Sequence, residues 1–569
     1  MKKFTAVTIA LVLTLDILTG CGESDADIPD LENQSSNVNV ADEVVADANV
    51  VEIRDWGEYD ALIDEIRTTT DFVRREALMH EAEDMLMETG VILPVYYYND
   101  TYMQKDYVSN VYSNPFGFKF FMFSRTRGDT LRLNISGEPD GLDPAVSGDT
   151  ERASFAVNSF AGLYTYGSDG RVIPDLAADE QVSEDGLTYT VTLLPDLKWS
   201  DGSELNADDF VYAWNRAADE NIASEYAYLF DIIDRNDDGT LKIEASDDAQ
   251  VLTIQLNAPC AYFNELLARP VYFPVKQPKA KRASDMETNS DAWAKEAGFI
   301  SNGAYTLTEW THGESMTYTR NPYYHRADEV ETTTLQFMLS EDDVEVYALY
   351  CAGGLDFIDS IPNGDIADLL DDPEFRVADR LGTYCVCFNI KSPLFGGKSA
   401  AQADAMRRAF ALLVDRDYIC MYVTQAGQKP ANTYIPLGMA DGNGGIFKTN
   451  DDDYTFPDGE NAGYFDLHWS ADSVEEAIAL LEFAGFKFEN GMLSAETPVS
   501  LECLVDGDFA HIAVAEALQQ DFTEIGIDMT INIAYGNEFL NERKSGSCDL
   551  VCEGRFADIN DPVSMLEIN

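Results

Sequence analysis

Residues 174–216 read PDLAADEQVSEDGLTYTVTLLPDLKWSDGSELNADDFVYAWNR. The DGLTYTVTLL portion is a short β-rich run bounded by turn signals, and a helix is predicted to begin near Ala207. TLRLNI from Thr130 and AQVLTIQL ending at Leu256 are runs of the same kind, so the region between them is predicted to be mostly strand with that helix interrupting it. Downstream, Met406, Ala409, Phe410 and Leu413 keep helical spacing. Ser473 with Glu476 reads as a capping box ahead of Ala477, Ile478 and Leu481, and Ile527, Met529, Ile531 and Ile533 alternate as a strand. Upstream, an Asp71 cap, the apolar stripe Leu78, Ala82, Met85 and Leu86, and Gly90 at the exit predict a helix, with Phe72 also expected to need an apolar partner surface. VILPVYYY at 91–98 reads as a buried strand with Tyr96 and Tyr98 on one face and Tyr97 on the other. Helices and strands mixed in this order predict α/β lobes, and no fixed-period repeat points to a solenoid.

The 569-residue chain has 38 basic and 102 acidic side chains, a formal net charge of −64 that repels nucleic acid phosphates and anionic lipid head groups. No nucleic-acid partner is expected, and a uniformly acidic solvated surface explains the charge without naming a substrate. Lys2 and Lys3, the apolar run Phe4 to Leu15 and the ending Leu18-Thr19-Gly20-Cys21 form a secretion signal, with Asp16 an awkward charge inside it. The run is too short to span a membrane, so the expectation is a protein tethered through Cys21 rather than embedded. Residues 22–51 read as an acidic flexible spacer. The remaining eight cysteines show neither metal spacing nor the density of a disulfide scaffold, and the five histidines form no cluster, so no metal or cofactor is expected. Cys385 and Cys387 would share one strand face. No G-x-S-x-G, H-E-x-x-H or P-loop is present, and the reading is of a protein that binds rather than transforms its ligand.

The run from Lys198 to Gly202, followed by Asp209-Phe210 and Tyr212-Ala213-Trp214, resembles the oligopeptide- and dipeptide-binding proteins of ABC importers, family 5 of the extracellular solute-binding proteins. EPDGLDP at 138–144, NGAYTLTEW at 302–310, RNPYY at 320–324, MRRAFALLVDRDYI at 406–419 and FADINDP at 556–562 carry the same resemblance, which extends over nearly all of residues 52–569. One feature departs from the family pattern. WGEYDALIDEIR from Trp56, the helix behind it and GVILPVYYYNDTYMQKDYV ending at Val108 look like the family's C-terminal segment, yet they precede the rest. The order reads as a circular permutation; a truncated tandem gene or an assembly error is the alternative.

The resemblance implies a two-lobed periplasmic-binding-protein fold with a third inserted domain and mixed β-sheets flanked by helices. On that pattern residues 1–21 are a lipoprotein signal, 22–51 the linker, 99–160 and 276–383 lobe I, 161–275 inserted domain II, and 384–569 with the displaced 52–98 lobe III. It implies an extracytoplasmic lipoprotein, a monomer, anchored at the cell membrane, that encloses peptides between two lobes and delivers them to an ABC permease and ATPase complex. The same fold also serves surface peptide or pheromone receptors and binding proteins for nickel, haem or oligosaccharides, and these alternatives stay open. Residue by residue, Asp558 matches the aspartate that pairs with the peptide's ammonium group, with Ala557 in the same motif. Ser147, Gly148 and Asp149 match the backbone-pairing segment, Tyr226 a lining tyrosine of domain II, and Tyr98 one from the last cleft strand. Tyr97, Trp199 and Trp214 are expected to be core. The family commonly has Trp where Arg555 stands and another near Gly536, so side-chain preference is expected to differ.

Overall fold

Asp71 starts the first long helix as its sequence predicts: its carboxylate accepts from the Arg74 N–H, and the helix runs Phe72–Thr89 (α2) before Gly90 ends it in the left-handed region at φ 63°. Gly90 is also required by space, because a Cβ there would lie 2.9 Å from the Arg408 backbone nitrogen. The computed structural model describes residues 55–135, 137–146, 150–222, 224–276 and 292–567. A shorter helix, α1 (Gly57–Thr68), precedes α2, and a long strand, β1 (Ile92–Gln104), follows it.

The main sheet has eleven strands and is mixed. Its order is Tyr305–Thr311, Ser315–Arg320, Thr334–Met338, Thr130–Asn134, Phe357–Ile358, β1, β2 (Phe375–Phe388), β3 (Leu550–Phe556), Ser500–Asp506 and Asp528–Ala534, with Lys429–Pro430 paired to β1. β1 runs antiparallel to β2 from Ile92 opposite Cys387 to Met103 opposite Phe375, with register shifts at Pro94/Tyr96 and Tyr97/Asn99. Pro94 has no N–H to give the ladder, and the first slip follows it directly. Positions 98/99 and 383/384, the sequence-derived boundaries, fall inside these two paired strands. A second, antiparallel sheet joins Ala177–Val182, Thr188–Leu193, Val251–Gln255 and Ile243–Ala245.

Asn206 caps α3 (Ala207–Ala217) in a capping box with Asp209, whose Oδ2 also accepts from Trp199 Nε1 at 3.1 Å. Trp199 and Trp214 are fully buried, and Trp214 Nε1 donates to the Tyr272 carbonyl at 2.7 Å. At the end of α3, Arg216 pairs with buried Asp143 of the EPDGLDP motif, so the two motifs are one ion-paired joint.

α2 packs its buried Leu78, Met79, Ala82 and Leu86 into the largest hydrophobic cluster, which also holds Tyr434, Ile435, Val563, Met565 and Leu566. The Tyr59 hydroxyl donates to the Leu566 carbonyl at 2.6 Å, and Arg75 forms a doubly bonded pair with Asp561. Leu93, Val95 and Tyr96 of β1 belong to a second cluster with the helix Ala400–Leu413, whose Met406, Ala409, Phe410 and Leu413 are all buried. Two expectations are corrected. Phe72, at the first turn of α2, is 44% exposed rather than packed. The helix Ala471–Phe483 is capped one turn earlier than read, by Ser470 accepting from the Ser473 N–H. The strand expected around Met529, Ile531 and Ile533 is present as Asp528–Ala534 at the edge of the sheet, where Ile533 is 41% exposed. Cys385 and Cys387 do share a face, with Sγ atoms 3.8 Å apart.

His80 on α2 is a hidden titratable group. Its ring lies between Phe447 (4.0 Å, 15°) and Tyr454 (3.7 Å, 9°), it is 1% exposed, and neither ring nitrogen has a hydrogen-bond partner. Burial pushes its pKa down to about 4, against the weaker opposing pull of Asp451 and Asp441. The unfolded chain therefore takes up this proton below pH ~6.5 while the folded chain resists until about 4, so His80 contributes stability at neutral pH that is lost as pH falls through that window. His80→Phe is expected to flatten this part of the acid limb by up to ~3 kcal/mol, read from urea midpoints between those pH values. An unchanged slope would show that the ring ionises freely.

Candidate functional site

The middle of β2 and the end of β3 meet at the mouth of a cavity of about 350 Å³. Gly382 pairs with Phe556 across the two strands, the Ala557 N–H donates to the Leu381 carbonyl at 2.8 Å, and the Leu381 N–H donates to the Pro115 carbonyl at 2.9 Å. These backbone bonds carry Arg380, Phe556 and Asp558 to one wall. The lining also includes Phe116 and Phe118, Thr150 and Glu151 at the start of a helix, and Tyr226 and Arg269 from the segment carrying the four-stranded sheet.

Asp558 is half-buried, and its Oδ2 accepts from the Tyr228 hydroxyl at 2.6 Å. Its backbone N–H donates to Ser564 Oγ at 2.7 Å, fixing the loop that enters the helix Val563–Leu566. Burial and the Asp558 carboxylate push the Tyr228 hydroxyl far above its ordinary pKa, so this bond is held by a neutral phenol. Tyr226 is raised as well, by burial first, with the Arg269 guanidinium opposing. Arg269 is buried and lies 4.6 Å from the Phe116 ring centroid, 5.2 Å from Phe118 and 5.3 Å from Tyr226. Arg380 lies over Phe556 at 4.8 Å and donates to the Phe116 carbonyl and to Thr150 Oγ1.

Of the residues singled out in the sequence, Asp558, Ala557 and Tyr226 line this one cavity. Tyr98 does not line it; its ring packs on Phe556 at 4.4 Å and its hydroxyl stands 3.4 Å from His511 Nε2. Tyr98 has room there because the facing residue is Gly554, where a Cβ would meet the Tyr98 hydroxyl at 2.4 Å. Ser147, Gly148, Asp149 and Cys21 lie outside the described residues. Tyr97 sits in a buried network, bonded to Thr433 Oγ1 at 2.5 Å and to Lys448 Nζ at 2.7 Å. Sequence reasoning missed Tyr228, Arg269 and Arg380. The available signal was a lone arginine within otherwise apolar runs, LLARPVYF and RLGTYCVCF. Among the described residues no group of His, Cys, Asp or Glu could hold a metal ion, and no helix is long and apolar enough to cross a membrane.

The pattern of the bacterial extracellular solute-binding proteins, family 5, middle region, matches residues 171–569, and the chain belongs to that family. It is 28% identical over 454 residues to the oligopeptide-binding protein OppA of Bacillus subtilis, covering 77% of each chain. It is equally 28% identical over 449 residues to the probable deoxycholate-binding periplasmic protein YgiS of Escherichia coli, again covering 77% of each. Among solved structures it is similar to the Escherichia coli murein tripeptide binding protein MppA, with a TM-score of 0.56 at 25% identity, covering 77% of this chain and 81% of that one. The architecture is the two-lobed α/β fold of periplasmic binding proteins.

Proposed function

We propose that this chain captures short peptides outside the cytoplasm and presents them to the permease and ATPase of an ABC importer, without chemical change. The observation that carries the reading is Asp558: a half-buried carboxylate with one oxygen held by Tyr228, lining a cavity with Tyr226 and the end of β3. An enclosed ammonium group is costly to desolvate unless a carboxylate compensates, and main-chain hydrogen bonds give affinity without reading side chains. Membership in a solute-binding family and the names of relatives such as the Bacillus subtilis oligopeptide-binding protein support the same reading. Ala557, Tyr226 and, by the resemblance, the segment Ser147 to Asp149 belong to the proposed site, while Tyr98 supports it from outside the cavity by packing on Phe556. Cys21 is proposed as the lipid attachment point of a monomeric, membrane-tethered protein.

The order of segments is proposed to be permuted, with residues 52–98 completing the lobe formed by 384–569. Its support is the pairing of β1 with β2 and the contacts of α1 and α2 with the segment Asp561 to Leu566.

Mass spectrometry of small molecules released on denaturing the purified full chain tests the function. Short peptides of varied sequence are the expected result. A single non-peptide solute would overturn the peptide reading.

A further inference from the structure

α2 and the loop around Asp451 line a second cavity of about 470 Å³, which shares no lining residue with the one at Asp558. Its lining repeats along α2 at helical spacing, Val73, Glu76, Ala77, His80 and Asp84, so one face of the helix forms its floor. His80 is 1% exposed and its two ring faces are covered by Phe447 and Tyr454, so it is the ring edge, which carries both nitrogens, that meets the cavity. Neither nitrogen has a hydrogen-bond partner, a costly arrangement for a buried polar group. The charge of the lining is one-sided. Asp71, Glu81, Asp451 and Asp453 join Glu76 and Asp84, while Arg74, the cation of the lining, is paired with Glu65 on α1 at 2.7 Å. Burial first, and then the fields of Asp441, Asp451 and Asp453, push the Glu76 carboxyl up, with a hydrogen bond from Asn443 opposing. Asp84 is fixed through Oδ1, which accepts from the Tyr454 and Tyr464 hydroxyls at 2.7 and 2.8 Å, and its other oxygen has no hydrogen bond among the described residues.

These groups are spread along the helix rather than gathered at one point. Glu76 and Asp84 stand about one turn to either side of His80, and so about 12 Å apart along the axis of α2. A single divalent ion needs its carboxylates converged around it, and among the described residues no such group is present. We propose that this cavity is a second ligand site, taking a linear aliphatic polyamine whose end ammonium groups lie at Glu76 and Asp84 and whose middle nitrogen donates to His80. Burial keeps the imidazole neutral, so its edge has the acceptor this N–H needs. The methylenes between the nitrogens cover exposed Ala77. The site goes beyond the peptide reading and does not depend on it.

Calorimetry on the full chain at ~0.15 M salt, with spermidine as the probe and butylamine and calcium chloride as comparisons, tests the site. Saturable binding of spermidine is expected, with butylamine weaker by on the order of 10- to 100-fold. Glu76→Gln, Asp84→Asn and His80→Phe should each weaken spermidine by a similar factor. Glu475→Gln, which removes an exposed carboxylate from the helix Ala471–Phe483, should leave it unchanged. Melting curves check folding, and if His80→Phe does not fold, the two carboxylate variants still decide. Equal weakening by Glu475→Gln and Glu76→Gln would show diffuse counterion attraction and overturn the site, as would the lack of saturable binding. Calcium that competes with spermidine and is lost in the same variants would replace the polyamine with an inorganic cation. Peptide binding should be unchanged in Glu76→Gln, and its loss there would overturn the independence of the two cavities.

Discussion

Asp558→Asn is expected to weaken binding of a peptide with a free amino end by roughly 30-fold to several thousand-fold, the ~2–5 kcal/mol that follows from deleting one partner of a desolvated charge pair. The Asp558 carboxylate spends one oxygen on Tyr228, and its Oδ1 has no hydrogen bond among the described residues. Asp558 lines the cavity, where the ammonium group of an enclosed ligand would have lost its water. A solvated surface carboxylate would cost far less to remove, at most ~1 kcal/mol. The decisive measurement is a calorimetric cycle of free and N-acetylated forms of one peptide against wild type and Asp558→Asn, with folding checked by melting curves. Acetylation and mutation should each weaken binding strongly but should not add, because either alone removes the same contact. Equal binding of free and acetylated peptide to the wild type would take Asp558 out of the site. The peptide reading would then lose its strongest residue-level support.

The legible parts of this molecule are those in which local chemistry and tertiary role agree. Asp71 and Gly90 mark α2 because a cap and a left-handed exit are needed whatever the helix packs against. Trp199, Asp209 and Trp214 are close in sequence and close in space, so their motif is nearly the joint itself. Asp558, Ala557 and Tyr226 were legible only through resemblance, since one aspartate among 102 acidic side chains carries no local signal. Arg269 and Arg380 were illegible as site residues because their meaning depends on Phe116 and Phe556, aromatic faces brought in from far along the chain. Phe72 failed for the opposite reason: an apolar residue is no proof of a covering partner, and at the first turn of α2 none is supplied. The positions 98/99 and 383/384 fall inside β1 and β2, which run through them without any change in composition.

Arg75→Met is expected to destabilise the fold by ~3–5 kcal/mol, the cost of leaving a buried charge without its partner. Arg75 and Asp561 are each almost fully buried and meet through two parallel hydrogen bonds of 2.7 Å. Arg75 Nε also donates to the Ile66 carbonyl at 3.1 Å, and Asp561 Oδ1 also accepts from the Val563 N–H at 3.0 Å, so the pair ties α1, α2 and the helix Val563–Leu566 together. Removing the cation strands the Asp561 carboxylate in a dry site. Asp561→Asn strands the guanidinium and should cost a comparable amount. The double variant should cost clearly less than the sum, because with both charges gone neither is left unpaired. Denaturant midpoints of the four proteins measure this directly. The result also bears on how the chain is organised, since the two residues are 486 positions apart and the pair exists only if residues 52–98 complete the same structural body as the segment around Asp561. If the N-terminal helices were a loosely attached remnant, Arg75→Met would behave as an ordinary surface change, within ~0.5 kcal/mol of wild type, and the permuted order would have to be abandoned.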